Sequence, residues 1–120
     1  MFGCMLRIKG NSRAISEFQR VFKKRATGQG IFVGSGIGLP AQISSTTKFL
    51  ARHKKQLHGL RKCCDLLTLD FGISKRDVAA QYDYFPPELL KRAGELGMGI
   101  ELSQYSVSAS GRRPIGIGGS

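Results

Sequence analysis

Several short segments of the chain alternate between apolar and polar residues, which is the pattern of a strand with one buried face. The clearest case is residues 66–71, where Leu67, Leu69 and Phe71 fall on one side and Asp70 falls on the other. This segment is predicted to be a central strand. Alternation or a short apolar run predicts three further strands, at residues 4–9, 31–33 and 100–105.

A row of residues spaced alternately three and four apart predicts a long helix in the middle of the chain. The helix is expected to begin near Pro40 or Ser44 and to end at Cys64. Gly59 lies inside it, although glycine weakens a helix by about 1 kcal/mol relative to alanine. The residues of the row are Thr46, Leu50, His53, Leu57, Leu60 and Cys64.

Two shorter helices are predicted, one on each side of the long helix. Asn11 or Ser12 can cap the first one by accepting a hydrogen bond from a free backbone N–H. That helix is expected to continue through a run of basic residues and to end before Gly28. The other is expected to open at Pro86-Pro87-Glu88, since proline is tolerated in the first turn of a helix, and to end in a left-handed cap at Gly97.

Strands and helices therefore alternate in the order β-α-β-α-β-α-β, which predicts an α+β fold. We expect a small mixed sheet with three helices. Residues 1–108 are predicted to form a single domain, because a chain of 120 residues can bury a core without metals or disulfides. Residues 109–120 are rich in Gly, Ser and Arg and are predicted to be a flexible tail.

Charge is distributed very unevenly along the sequence. Residues 1–64 hold thirteen Lys or Arg and one acid, Glu17, whereas residues 65–120 hold six basic and seven acidic residues. The two parts carry +12 and −1, which sum to the formal net charge of +11. Such a positive field raises the local concentration of anions and speeds encounter with an anionic partner.

Basic residues of the first two predicted helices fall opposite the apolar rows. A solvated helix face is the ordinary interpretation of such residues, but it usually mixes acids with lysines, because opposite charges four residues apart stabilise a helix. Residues 41–64 contain no acid, and their like charges are more easily tolerated if an anion meets them. The sequence thus predicts a polyanion-binding surface led by Arg20, Lys24, Lys48, Arg52, Lys55 and Lys62.

Nucleic acid is the first candidate partner, because its phosphate backbone binds Lys and Arg without regard to base sequence. An acidic protein is the alternative. Proteins that bind single strands usually add exposed aromatic rings on which bases stack. Phe18, Phe22 and Phe49 are expected to face the core, so that only Tyr82 and Tyr84 are expected to be available for stacking.

The glycine-rich residues 28–38 lead into a formal G-x-G-x-x-A match at residues 36–41. A dinucleotide site also needs an acid after the next strand to bind the ribose. Asp70 could serve as that acid, but it lies too far along the sequence from the glycine match. A structural bend is therefore the favoured interpretation, and no cofactor is expected.

The three cysteines, Cys4, Cys63 and Cys64, make a poor disulfide framework, because their number is odd and two of them are adjacent. Together with His53 and His58 they match no common zinc spacing, so no metal site is expected. This number and spacing of cysteines is typical of a protein in a reducing compartment.

Catalytic chemistry has no recognisable constellation in this chain. Nothing places a nucleophile, a base and an orienting group at a suitable spacing, and the carboxylates are expected to be caps and surface charges. The protein is therefore not expected to be an enzyme. No apolar run approaches the ~20 residues that cross a bilayer, and residues 1–10 do not resemble a signal peptide. The predicted location is the cytoplasm, without a membrane partner.

The C-terminal half carries a family resemblance. The segments LTLDFGISKRD and YFPPELLKRAGELGMGIELSQYS resemble a small bacterial domain-of-unknown-function family (four-two-seven-nine), mainly over residues 67–105. The run that holds Phe49, Leu50, His53 and Leu57 is similar to the middle helix of that family. The resemblance implies a compact fold without enzymatic chemistry and brings no catalytic residues. By analogy, it makes an immunity-type or accessory protein that binds one acidic partner the alternative function.

Overall fold

The computed structural model describes residues 2–22, 30–107 and 114–115. The chain has the predicted α+β fold with a mixed sheet, but these residues form four helices instead of three, in the order β-α-β-α-α-β-α-β-β. The elements are β1 (Gly3–Lys9), α1 (Ser12–Val21), β2 (Gly30–Gly34), α2 (Leu39–Arg52), α3 (Lys54–Cys63), β3 (Leu66–Ser74), α4 (Pro87–Glu95), β4 (Met98–Val107) and β5 (Pro114–Ile115).

The sheet has the strand order β2-β1-β3-β4-β5. β1 is antiparallel to both β2 and β3, whereas β3 and β4 are parallel. A parallel pair requires a crossover connection, and α4 supplies it. The strand predicted at residues 66–71 is therefore central, and it continues to Ser74.

The helices cover one face of the sheet, where alternate strand residues join helix residues in one hydrophobic cluster. Leu6 of β1 and both Leu69 and Phe71 of β3 are wholly buried in it. Phe18 of α1 and Leu89 of α4 are also wholly buried. This burial confirms the predicted apolar side of the central strand.

The opposite face of the sheet carries the intervening side chains of the same strands, and most of them reach solvent. The side chain of Arg7 is 53% exposed and Phe32 is 46% exposed. Asp70 is the exception, since it is only 4% exposed. We call this surface the open face; its side chains include Met5, Arg7, Lys9, Phe32, Leu66, Thr68, Asp70 and Glu101.

The long middle helix is divided at His53, so the prediction of three helices was wrong. His53 has φ −108° and ψ 27°, which ends α2 and starts α3. Its ring packs against Phe49 and Phe22, with centroid distances of 4.5 Å and 5.9 Å. The N–H of Leu57 still donates to the His53 carbonyl at 3.0 Å, so the break is a bend and not a loop. The predicted apolar row remains buried at Thr46, Leu50, Leu57, Leu60 and Cys64.

The first helix is shorter than predicted. α1 ends at Val21, and Phe22 leaves the helical region with φ −117° and ψ 33°. The ring of Phe22 packs on Phe18 at a centroid distance of 5.5 Å, which keeps it in the core. Residues 23–29 lie outside the described residues.

The end of the chain is described only in part. β5 lies within the predicted tail and pairs with the end of β4, while residues 108–113 and 116–120 lie outside the described residues. The domain boundary at residue 108 therefore stays a prediction.

The third predicted helix is confirmed as α4. Pro87 occupies its first turn, and Gly97 follows its end with φ 67°, in the left-handed region that favours glycine. A Cβ at Gly97 would also lie 2.7 Å from Nε of Arg61. This cap turns the chain directly into β4, which completes the crossover.

Candidate polyanion-binding site

Helix α1 presents two arginines to solvent. Its start is set by Asn11, whose side-chain oxygen accepts a hydrogen bond of 3.0 Å from the backbone N–H of Ala14. Ala14 and Phe18 form the buried side of this helix. Arg13 and Arg20 are therefore exposed on its other side.

Helix α3 brings Lys55 to the same region because the bend at His53 separates its direction from that of α2. α2 packs on β1, β2 and β3, whereas α3 packs against α1. Leu57 and Leu60 are the buried residues of α3. Lys55 is left exposed, facing the arginines of α1.

Arg13, Arg20 and Lys55 line one depression of about 310 Å³ between α1 and α3. Gly59 lies in its wall, and a Cβ built on Gly59 meets no atom within 4 Å. A larger residue there would extend a side chain into this space. We call this depression the basic groove.

One acid, Glu17, also lines the basic groove and pairs with Arg20. Nε of Arg20 donates to Oε1 of Glu17 at 3.1 Å, and Nη2 donates to Oε2. The hydrogen bond from Arg20 lowers the pKa of Glu17, and the same bond raises the pKa of Arg20. The charge of Arg13 also lowers the pKa of Glu17, but Arg13 and Lys55 form no hydrogen bond or ion pair with any described residue.

The structure brings together only part of the predicted surface. Arg20 and Lys55 line the basic groove. Lys48, Arg52 and Lys62 are exposed on α2 and α3 but do not line it. Lys24 lies outside the described residues.

Arg13, Glu17 and Gly59 are among the groove residues that were absent from the predicted set. Arg13 lies on the exposed side of α1, and its helical position alone was a sufficient signal to include it. The role of Gly59 has no comparable signal, because it depends on the packing of α1 against α3.

The glycine-rich turn before α2 is tightly packed. Gly36 has φ 133°, and a Cβ there would lie 2.7 Å from Cβ of Ala41. Nε2 of Gln42 donates to the Gly36 carbonyl at 2.8 Å and to the Gly72 carbonyl at 2.9 Å. These bonds tie the turn to α2 and β3, which supports its interpretation as a structural bend.

The cysteines are free thiols in different surroundings. Cys4 and Cys64 are buried, whereas Cys63 is exposed. Burial raises the pKa of Cys4 to about 12, and the neighbouring Thr46 hydroxyl opposes this shift. Burial also raises the pKa of Cys64. Cys4 is consequently a poor nucleophile at neutral pH.

Two kinds of feature are absent from the described ranges 2–22, 30–107 and 114–115. They contain no group of three or more His, Cys, Asp or Glu side chains placed to hold a metal ion. None of their helices combines the length and apolar character that crossing a bilayer requires.

Asp70 corrects one prediction, since it is neither a cap nor a surface charge. Its Oδ2 lies 2.7 Å from Nη2 of Arg7, and its Oδ1 accepts a hydrogen bond of 2.7 Å from Oγ of Ser103. Burying a carboxylate is costly unless it is paired and hydrogen-bonded, and Asp70 is both. It therefore anchors Arg7 on the open face.

Comparison with known proteins gives no relative whose function bears on the basic groove or the open face. No family model matches the chain, and neither curated proteins nor solved structures contain a match.

Proposed function

We propose that the protein is a non-enzymatic binding module whose basic groove contacts the phosphate backbone of nucleic acid, or another polyanion. The observation that carries this proposal is the convergence of Arg13, Arg20 and Lys55 from two helices on one open depression. Cations from separate elements that share one concave surface act on the same ligand, whereas scattered surface lysines do not.

The charges of the groove favour an anionic partner. Three cations face one carboxylate, Glu17, and the pairing of that carboxylate with Arg20 leaves Arg13 and Lys55 available. The net charge of +11 steers polyanions toward the protein over longer distances. Lys48, Arg52 and Lys62 are exposed elsewhere on α2 and α3 and add to the positive charge of the helix layer.

The test is a fluorescence-anisotropy titration with duplex DNA at several salt concentrations. Lys55→Ala should weaken binding by a similar factor for every DNA sequence and lower the salt slope by about one. Lys91→Ala is the matched control, because Lys91 is also an exposed helical lysine but lies on α4. Equal effects of the two substitutions would show that the charge is generic and would contradict the groove.

A second pair of variants tests the shape of the groove. Gly59→Glu places a carboxylate in the basic groove, whereas Gly94→Glu places one on α4, where a Cβ likewise meets no atom within 4 Å. Only Gly59→Glu should abolish binding. If neither changes DNA binding, the acidic-protein alternative is tested by capturing a partner with the unmodified protein and asking whether Gly59→Glu loses it.

A further inference from the structure

The open face is arranged in rows across the sheet. Strand register places Phe32, Met5, Asp70 and Glu101 side by side in one row. In the adjacent row, glycines flank two polar residues, in the order Gly30, Arg7, Thr68 and Gly99. A depression of about 600 Å³ lies over this part of the sheet, lined by Arg7 and Thr68 and by Met5, whose side chain lies over Gly30.

Arg7 is fixed in orientation within this depression. Nη2 of Arg7 pairs with Asp70, which the Ser103 hydroxyl holds from its other side. The side chain of Arg7 is still 53% exposed, and it has no other polar partner in the described residues. Its remaining N–H groups are therefore available to an anion, and an arginine presents them in a rigid planar fork that suits phosphate.

Lys9 supplies a second cation two residues farther along β1, on the same face. The hydroxyl-bearing Thr68 lies directly opposite Arg7 on β3. Glu101 also lines the depression and adds one carboxylate. A ligand that matches this set has both an anionic group and N–H donors, and a nucleotide unit carries a phosphate together with a base that donates hydrogen bonds.

Phe32 adds an exposed aromatic ring on the same face of the sheet, in the row next to that of Arg7. It is diagonal to Arg7, because Met5 pairs with Phe32 and Arg7 pairs with Gly30. The ring lies close over Gly3, where an added Cβ would meet it at 3.3 Å. Phe32 is 46% exposed, so the ring rests on the sheet and still offers surface to a base.

We propose that the open face binds single-stranded nucleic acid, with a base stacked on Phe32 and phosphates on Arg7 and Lys9. An exposed sheet surface that combines aromatic rings with cations is a common way to bind unpaired bases. Duplex DNA does not offer unstacked bases to such a surface. This binding mode is separate from the basic groove, which lies in the helix layer on the other side of the sheet.

The experiment compares a fluorescent oligothymidylate with a fluorescent duplex, each titrated with purified variants of the full chain. Phe32→Ala should weaken single-strand binding roughly tenfold and leave duplex binding unchanged. Tyr82→Ala is the matched control, since Tyr82 is an exposed ring away from the sheet. Lys9→Ala should also weaken single-strand binding, whereas Lys91→Ala should not. Each of these side chains is exposed, and urea unfolding verifies that the variants remain folded.

Two outcomes would overturn the proposal. One is that Phe32→Ala and Tyr82→Ala have the same effect on the oligothymidylate. The other is that sedimentation shows a dimer that Phe32→Ala dissociates, which would make the open face a contact between two copies of the chain. Failure of the basic groove is distinguishable, because Lys55→Ala tests duplex binding and Phe32→Ala tests the preference for single strands.

Discussion

The two faces of the sheet are built from alternate residues of the same strands, yet they meet opposite environments. On β1, Leu6 is wholly buried, whereas the side chain of its neighbour Arg7 is 53% exposed. On β3, Leu69 is wholly buried and Thr68 is partly exposed. Because successive side chains point to opposite faces, one strand can supply a core and a ligand surface together. Substitutions should affect stability or binding according to the face on which they lie.

Asp70 does not follow the division between a buried face and an exposed face. It belongs to the open face by register, but it is as buried as a core residue. Its partners Arg7 and Ser103 come from the strands on either side. Asp70 thus links three strands and holds Arg7 in a fixed position on the open face. It is therefore expected to contribute to both stability and ligand binding.

The largest effect should come from the covered face. Phe71 is wholly buried and packs edge-on against Phe85, with ring centroids 5.4 Å apart. Phe71→Ala should lower the free energy of unfolding by about 3–5 kcal/mol. Leu66→Ala on the open face, where Leu66 is 47% exposed, should change it by less than about 1 kcal/mol. Urea unfolding measures both, and similar losses would contradict the division into covered and open faces.

An intermediate effect is expected at the buried carboxylate. Asp70→Asn removes the charge that holds Arg7 and disturbs the acceptor of the Ser103 hydroxyl, so stability should fall by about 1–3 kcal/mol. Asp77→Asn changes an exposed carboxylate without a partner in the described residues, and stability should stay within about 0.5 kcal/mol. Thermal or urea unfolding provides the comparison. A neutral Asp70→Asn would show that Arg7 is held by other contacts.

The effect that is smallest at neutral pH concerns the covered face, because it develops only in alkaline solution. The folded protein has a Cys4 pKa of about 12, above the ordinary value of 9.0, because the thiol is desolvated. The unfolded chain therefore loses this proton first, and the stabilising contribution present below pH 9 is lost as pH rises toward 12. The slope from one such group is at most about 1.4 kcal/mol per pH unit.

Urea unfolding across that pH interval tests the prediction. Cys4→Ala should show a shallower fall in stability with pH than the unmodified protein. Cys63→Ala is the control, since Cys63 is exposed and should retain the original slope. An unchanged slope in Cys4→Ala would mean that Cys4 is not desolvated in the folded protein.

Local pattern predicted much of this fold. Alternation identified the central strand and the side of it that carries Leu69 and Phe71. Pro87 and Gly97 marked the beginning and end of a helix, because their backbone preferences are local. The bend at His53 was missed, since the apolar row continues across it without interruption. The helix is interrupted where the ring of His53 packs against Phe49 and Phe22.

The candidate sites were less predictable. The sequence pattern placed basic residues on the helices, but it could not predict that Arg13 and Lys55 line the same groove. Phe32 was missed as an exposed ring because the short apolar run around it does not reveal which side is covered. Its exposure follows from where α2 packs on the sheet.

Residue order alone settled the properties that depend on neighbours within a few positions. Among these are the strand alternation, the helix caps and the concentration of positive charge in residues 1–64. The tertiary structure decided which distant residues meet, such as Asp70 with Arg7 and Ser103. The physical reason is that such contacts depend on strand order and helix packing, whereas periodicity records only which side of its own element a residue occupies.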